Sequence, residues 1–374
     1  MVQSFIIYSS LFIVMSFFGM MYDRTKRCYK ENGPSEVYFW LPILFVTIIL
    51  GMRYDVGTDH VGYIHDYLYG TNQQFEVGFA WLMDTCKAHH LHFAYFFGIL
   101  AFIQIFCYYT SFKRQSFLLP YLGLMLFVSN EWFFWVNGIR QATAMCIWLL
   151  SLECFNRRKY VWMAVFMALA ITFHKSAVIL VFLYPLLFLR KDYFSSIKVQ
   201  VIIFISVFVI RMSLESVFSN LVPLVNFYAM KIGYDGYLER DLLSDSISGG
   251  SGIFDIWKNI INFTIILCSA KMKMYFNDKK FITIYTLFII ALITKNIFPD
   301  NIVVLSRPFR YFYIFIPIMW AYFAYYLKTS RYNKYDKLLY YIMLSSIILA
   351  FYISITLWTE NSHLLYQFYF DGFE

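Results

Sequence analysis

Charge-poor apolar runs of about 17 to 25 residues recur along this whole chain, and nothing else in the sequence narrows the possible folds as sharply. Each run is long enough to cross a hydrocarbon layer of roughly 30 Å as a helix, the structure that satisfies its own backbone polar groups in lipid. The 374 residues are only 14% charged, against about 25% in soluble domains, so a soluble fold is excluded. The first run, FIIYSSLFIVMSFFGMMY, has no basic region before it and no small-residue cleavage pattern after it. It is read as a retained helix and not a signal peptide. The six cysteines show no metal-ligand spacing, and most fall inside apolar runs, where they serve as small packing groups.

Breaks rich in charge or turn residues divide the apolar sequence into twelve expected spans, near 3–21, 37–52, 92–111, 117–134, 138–155, 160–174, 175–189, 197–212, 255–270, 281–297, 309–327 and 338–358. The sixth and seventh are short and meet at FHKSA, where a broken or re-entrant helix is expected. The odd-numbered connections hold 20 of the 31 Lys and Arg, among them Arg24, Lys26, Arg27, Lys113, Arg114, Arg157, Arg158, Lys191, Lys273 and Lys328. The positive-inside rule assigns those connections to the cytoplasm and both termini to the outside. The net charge of +8 then reflects topology and anionic headgroups, with no reason to invoke nucleic acid. All seven histidines fall on the outer half. The chain reads as one integral membrane domain, 1–374, with outer loops near 53–91 and 213–254 forming an extracytoplasmic cap.

Four outer stretches carry chemistry. The first is GMRYDVGTDHVGYIHDY, continued by QQFEVGFAWLMDTCKAHHLH. It brings Arg53, Asp55, Asp59, His60 and Glu76 into a structured loop with an amphipathic helix over 75–82. The plainer reading has Arg53 and Lys87 reaching headgroup phosphates and the acids simply solvated. The second is SNEWFFWVNGIRQATA, where Asn137, Arg140, Gln141 and Ala144 share one face of a helix. An Arg one turn inside a span faces a partner or a cavity, and an ion pair with Glu131 is the bland alternative. The third is ITFHKSAVI, whose His174 can accept a proton from a hydroxyl or be a hydrogen-bonded helix-end residue. The fourth is FPDNIVVLSRPFRYFYIF, with Arg307 and Arg310 one turn apart and Tyr311 beside them. Two guanidinium forks at that spacing suit phosphate or pyrophosphate, and an interfacial belt of Arg and Tyr is the alternative. No Walker loop, GxGxxG, HExxH or GxSxG occurs, and Asp55, Asp59 and His60 fit no familiar metal spacing, so no metal and no cofactor are expected.

The runs RYDVGTDHVGY, FEVGF, NGIRQATA, FHKSAVIL and RPFRYFYIF, in that order, resemble EpsG-like proteins, which belong with the Wzy-type polymerases of bacterial O-antigen, capsule and exopolysaccharide. The resemblance covers about residues 45–330. His60 departs from it, since the family usually has an aromatic residue there. The resemblance implies an all-α membrane glycosyltransferase with a GT-C-like arrangement, an outward-facing cavity and no metal. It would join oligosaccharide units carried on undecaprenyl pyrophosphate, at the outer face of the bacterial cytoplasmic membrane, with membrane lipids and a chain-length regulator as partners. Leaving-group charge would fall to Arg140, Arg307, Arg310 and Arg53; the base would be His174, Asp55 or Asp59; Glu76, Asn137, Gln141 and Tyr311 would support the sugar. An O-antigen ligase, an acyltransferase and a flippase of the same lipid-linked units are the competing readings.

Overall fold

A computed structural model describes residues 1–29, 35–70, 74–210, 253–298, 306–330, 335–357 and 364–370. Helices occupy all twelve of the apolar runs, which makes this an all-α membrane protein. Among the described residues, Val2–Cys28, Phe93–Phe112, Lys279–Ile297 and Asp336–Thr356 are long and apolar enough to cross a membrane alone. A bent pair, Ser116–Val128 with Glu131–Asn137, makes a fifth crossing if taken as one. The chain divides into two compact units, one of Met1–Phe188 with Pro317–Glu374 and one of Leu189–Ile316.

The first unit begins with α1 (Val2–Tyr29) and α2 (Ser35–Gly51), followed by a two-residue strand β1 (Arg53–Tyr54) and two short helices, α3 (His60–Leu68) and α4 (Val77–Ala88). Then come α5 (Phe93–Phe112), α6 (Leu119–Val128), α7 (Glu131–Asn137), α8 (Ile139–Asn156) and α9 (Tyr160–Phe173). α5 starts where the His92 ring accepts the Ala94 N–H, one of the donors that a helix start leaves unmet. Asn130, with φ of 66°, breaks the run between α6 and α7, which are bent by 71°. α9 ends at Phe173, and His174, in extended backbone, opens a 3-10 segment (Lys175–Leu183) that runs into α10 (Tyr184–Phe188). The expected break at FHKSA is therefore present. At 14 residues α9 is about 21 Å long, short of a full crossing by itself.

Two sets of contacts mark the ends of this unit. Near the start of α1 and the end of α2, Tyr8 donates to Leu364 O at 2.5 Å and Tyr366 donates to Ile49 O at 2.6 Å. Strand β2 (Gln367–Phe368) pairs antiparallel with β1, Arg53 opposite Phe368 and Tyr54 opposite Gln367. At the other end Lys113 pairs with Glu36 at 2.7 Å, Lys26 reaches Lys113 O at 3.4 Å and Ser116 donates to Asp23 at 2.8 Å. The 53–54 strand and residues 364–368 thus share one end of this unit, and the groups around Asp23, Glu36 and Lys113 the other.

In the second unit α11 (Ile197–Ile210), α12 (Ile253–Phe276) and α13 (Lys279–Ile297) precede a 3-10 turn, Arg307–Phe312, and the start of α14 (Phe315–Thr329). Lys273 is held by Asp192 at 2.8 Å, a part-buried ion pair that fixes α12 to the connection before α11. The remainder of α14 and α15 (Asp336–Thr356) return to the first unit. The long connection near 213–254, expected to cap the site, lies outside the described residues but for its last two positions.

Candidate functional site

Glu76 is the centre of the site. It stands immediately before α4 in extended backbone, with φ of −66° and ψ of 148°, which leaves its side chain aimed away from the helix it precedes. One carboxylate oxygen accepts from Arg140 Nη1 at 2.7 Å; the other lies 2.9 Å from His174 Nδ1 and accepts the Lys175 backbone N–H at 3.4 Å. These partners lie 64 and 98 residues away in sequence. What lets α4 come close enough is Gly78: a Cβ there would lie 2.5 Å from the Thr172 hydroxyl, so only a glycine allows this approach of α4 to α9.

Burial opposes ionisation of Glu76, but the hydrogen bond from His174 and the charges of Arg140 and His174 outweigh it and pull its pKa from 4.5 to about 2. The carboxylate is therefore an acceptor only, and His174 Nδ1 must carry the proton that it receives. With Nδ1 donating to Glu76, Nε2 is the ring nitrogen left for a second partner. Nε2 has no partner among the described residues, and the His174 side chain keeps 14% of its surface exposed. A carboxylate orienting one imidazole nitrogen so that the other works as base is the arrangement of hydrolase triads.

Arg140 is clamped by a second set of contacts. Its Nε donates to the Tyr63 hydroxyl at 3.2 Å, and the rings of Phe75, Tyr63 and Phe79 surround the guanidinium at 5.2, 6.0 and 6.0 Å. Aromatic faces stabilise a partly desolvated cation. The Nη2 is left as a donor without a partner among the described residues. Arg140 lies sixteen residues before the end of α8, so about 24 Å from the basic 157–159 turn, a little short of the hydrocarbon thickness.

The neighbouring loop is fastened to α7. Gly57 has φ of +99°, open to glycine but strained for other residues, and a Cβ there would meet Val136 O at 3.0 Å. Two residues on, the Asp59 N–H donates to the Asn137 side chain at 3.0 Å. His60 Nδ1 accepts the Asp55 N–H at 3.1 Å, and burial, helped by the charge of Arg53, pushes the His60 pKa well below 6.5. His60 is a neutral, fully buried anchor whose ring packs on Phe97 at 4.4 Å.

Several sequence expectations change here. Asn137 and Arg140 do not share one helix: α7 ends at Asn137, Gly138 breaks the run, and α8 starts at Ile139. Arg140 pairs with Glu76 and not with Glu131. Arg53 is 1% exposed, donates to Leu50 O and lies 5.1 Å from the Phe97 ring. A cation capping the negative end of α2 is stabilised by the helix dipole. Burial lowers its pKa to about 10, against the opposing effect of Tyr366 and Tyr8, so it stays charged at neutral pH. In this position it offers no face to a ligand. Gln141 is buried, as is Tyr311 in the second unit. Arg307 and Arg310 lie three residues apart on the 3-10 turn, hence on one face, with Arg310 5.2 Å from the Tyr313 ring. Tyr63, Phe97 and Tyr366 were not singled out from sequence; the only local signal was the i, i+3 spacing of His60 and Tyr63 on one face of α3.

No curated protein matches the chain, and no solved structure does. A family model described as the EpsG family matches residues 36–368, nearly the whole length. The chain belongs to the EpsG family, a family of Wzy-like polymerases.

Proposed function

We propose that the protein is a membrane glycosyltransferase that polymerises oligosaccharide repeat units carried on undecaprenyl pyrophosphate. It transfers the growing glycan to the non-reducing end of another lipid-linked unit, at the outer face of the bacterial cytoplasmic membrane. The observation that carries this reading is the ionised Glu76 bridging Arg140 and His174. The charge asymmetry of the connections supports the outward orientation. Twelve crossings in a GT-C-like arrangement accommodate it.

In this mechanism His174 Nε2 takes the proton of the acceptor hydroxyl as that oxygen bonds to the anomeric carbon of the donor sugar. The bond from that carbon to the pyrophosphate oxygen breaks, and the leaving charge is met by fixed cations. Arg140 supplies one, through the Nη2 that Glu76 and Tyr63 leave available; Arg307 and Arg310, one turn apart in the second unit, are by themselves a pair suited to phosphate. Asp55 and Asp59 orient sugar hydroxyls. Arg53 is reassigned from pyrophosphate ligand to support of the loop, because its guanidinium is buried against Phe97. No arginine serves as base, since guanidinium stays protonated.

A strain lacking the protein tests the function. Single repeat units on an otherwise normal acceptor are expected; accumulation of finished lipid-linked polymer would instead indicate a ligase, and absence of any unit at the outer face a flippase.

A further inference from the structure

The end of α2 is closed by groups distant in sequence. Ile48 O receives the Met52 N–H at 3.0 Å, but Ile49 O receives the Tyr366 hydroxyl at 2.6 Å and Leu50 O the Arg53 guanidinium. Such carbonyls at the edge of a membrane have little water to turn to, so these side chains replace it. Tyr366 is 2% exposed; its N–H donates to Ser4 Oγ at 2.8 Å, and its ring meets that of Tyr8 edge-on at 6.0 Å. On either side of it, Leu364 O accepts from Tyr8, Gln367 and Phe368 pair with Tyr54 and Arg53, and the Tyr369 N–H donates to Met52 O at 3.0 Å. Residues 364–370 are thereby tied both to the start of α1 and to the junction of α2 with β1.

We propose that residues 364–370 are a positioning strut of the site, with Tyr366 its principal residue. The strut fixes α2 and β1; from β1 the chain runs through Gly57, seated on Val136, to Asp59, bonded to Asn137, and α7 and Gly138 then lead into Arg140. The contacts of Tyr366 with Ile49, Ser4 and Tyr8 are all to scaffold groups, so it acts through the loop as a positioning residue. The inference rests on the assignment of Arg140, Glu76 and His174 to the reaction.

The test compares Tyr366→Ala, Tyr366→Phe and Tyr366→Ala combined with Tyr54→Cys and Gln367→Cys. Paired strand residues have Cα atoms about 5.5 Å apart, within reach of a disulfide. Turnover is measured in membranes supplied with lipid-linked repeat units extracted from cells lacking the protein. Tyr366→Ala is expected to lower kcat roughly tenfold or more, with KM within about threefold and protein level unchanged, as a displaced catalytic group does. Tyr366→Phe, which loses the hydroxyl bond to Ile49 O but keeps the ring, retains most activity. Oxidation of the double-cysteine form restores kcat, and reduction removes it again.

Native kcat in Tyr366→Ala, loss only in proportion to lost protein, or no rescue on oxidation would overturn the proposal. Where Tyr366→Ala does not accumulate, Tyr366→Leu, which keeps apolar volume, takes its place. His174→Ala in the same assay separates the two readings. An active His174→Ala refutes the catalytic assignment, whereas an inactive His174→Ala beside a fully active Tyr366→Ala refutes the strut alone.

Discussion

Replacing Glu76 by Gln changes one oxygen to an amide and removes one charge, yet it should affect both stability and turnover. The native environment lowers the Glu76 pKa from 4.5 to about 2, which at 1.36 kcal/mol per pH unit is about 3 kcal/mol in favour of the ionised, folded form. Solvent reaches this site, since the side chain of Arg140 is 19% exposed, so about 2 kcal/mol is the fairer figure. A depressed carboxylate pKa stabilises the fold above the unfolded value and ceases to do so as pH falls through the folded one. In detergent, native protein should therefore lose thermal stability between pH 4.5 and 2, and Glu76→Gln should flatten that part of the profile while lowering stability at pH 7. For catalysis, an amide can present its N–H donors to His174 or Arg140, so the Nδ1–H tautomer is no longer enforced. In hydrolase triads the matching change costs about 10⁴-fold in turnover, and a loss of roughly 10²- to 10⁴-fold is expected here. Turnover within threefold of native, together with an unchanged acid profile, would refute the bridging role of Glu76.

Three further outcomes follow from the same geometry. Arg140→Lys keeps the charge but cannot hold Tyr63 and Glu76 with one planar fork, so kcat/KM for lipid-linked donor should fall roughly tenfold or more; activity within twofold would count against the clamp. Gly78→Val drives a side chain into Thr172 and should cost about 1–3 kcal/mol by thermal unfolding in detergent, with activity falling further as Glu76 is carried away from His174. Arg307→Ala and Arg310→Ala should each shorten or abolish polymer at normal protein level; native polymer length in both variants would refute a phosphate-binding role for the pair.

Much of the helical framework could be read from the sequence, because a hydrocarbon-length apolar run is a local property. The break before Lys175 was also legible, from a His-Lys pair between two runs too short to cross. Gly138 was the signal missed in the next motif: periodicity carried one face from Asn137 to Ala144, but the glycine ends α7 and turns the chain by starting α8 afresh. The partner of Arg140 was not legible at all. Glu131 is nearer in sequence, whereas Glu76 is brought there by the packing of α4 on α9 through Gly78, and spacing carries no trace of that contact. Arg53 shows the same limit. Its charge beside a span suggested a ligand, but its burial depends on Tyr8 and on residues more than 300 positions away.

The central claim is that His174, oriented by Glu76, is the base of a polymerisation reaction, and the glycan size distribution tests it most directly. Membranes holding native protein or His174→Ala at equal level are incubated with purified lipid-linked repeat units, and the products are resolved by length. The account predicts a ladder of polymers from native protein and only the starting single unit from His174→Ala. A ladder of native length and rate from His174→Ala would contradict it.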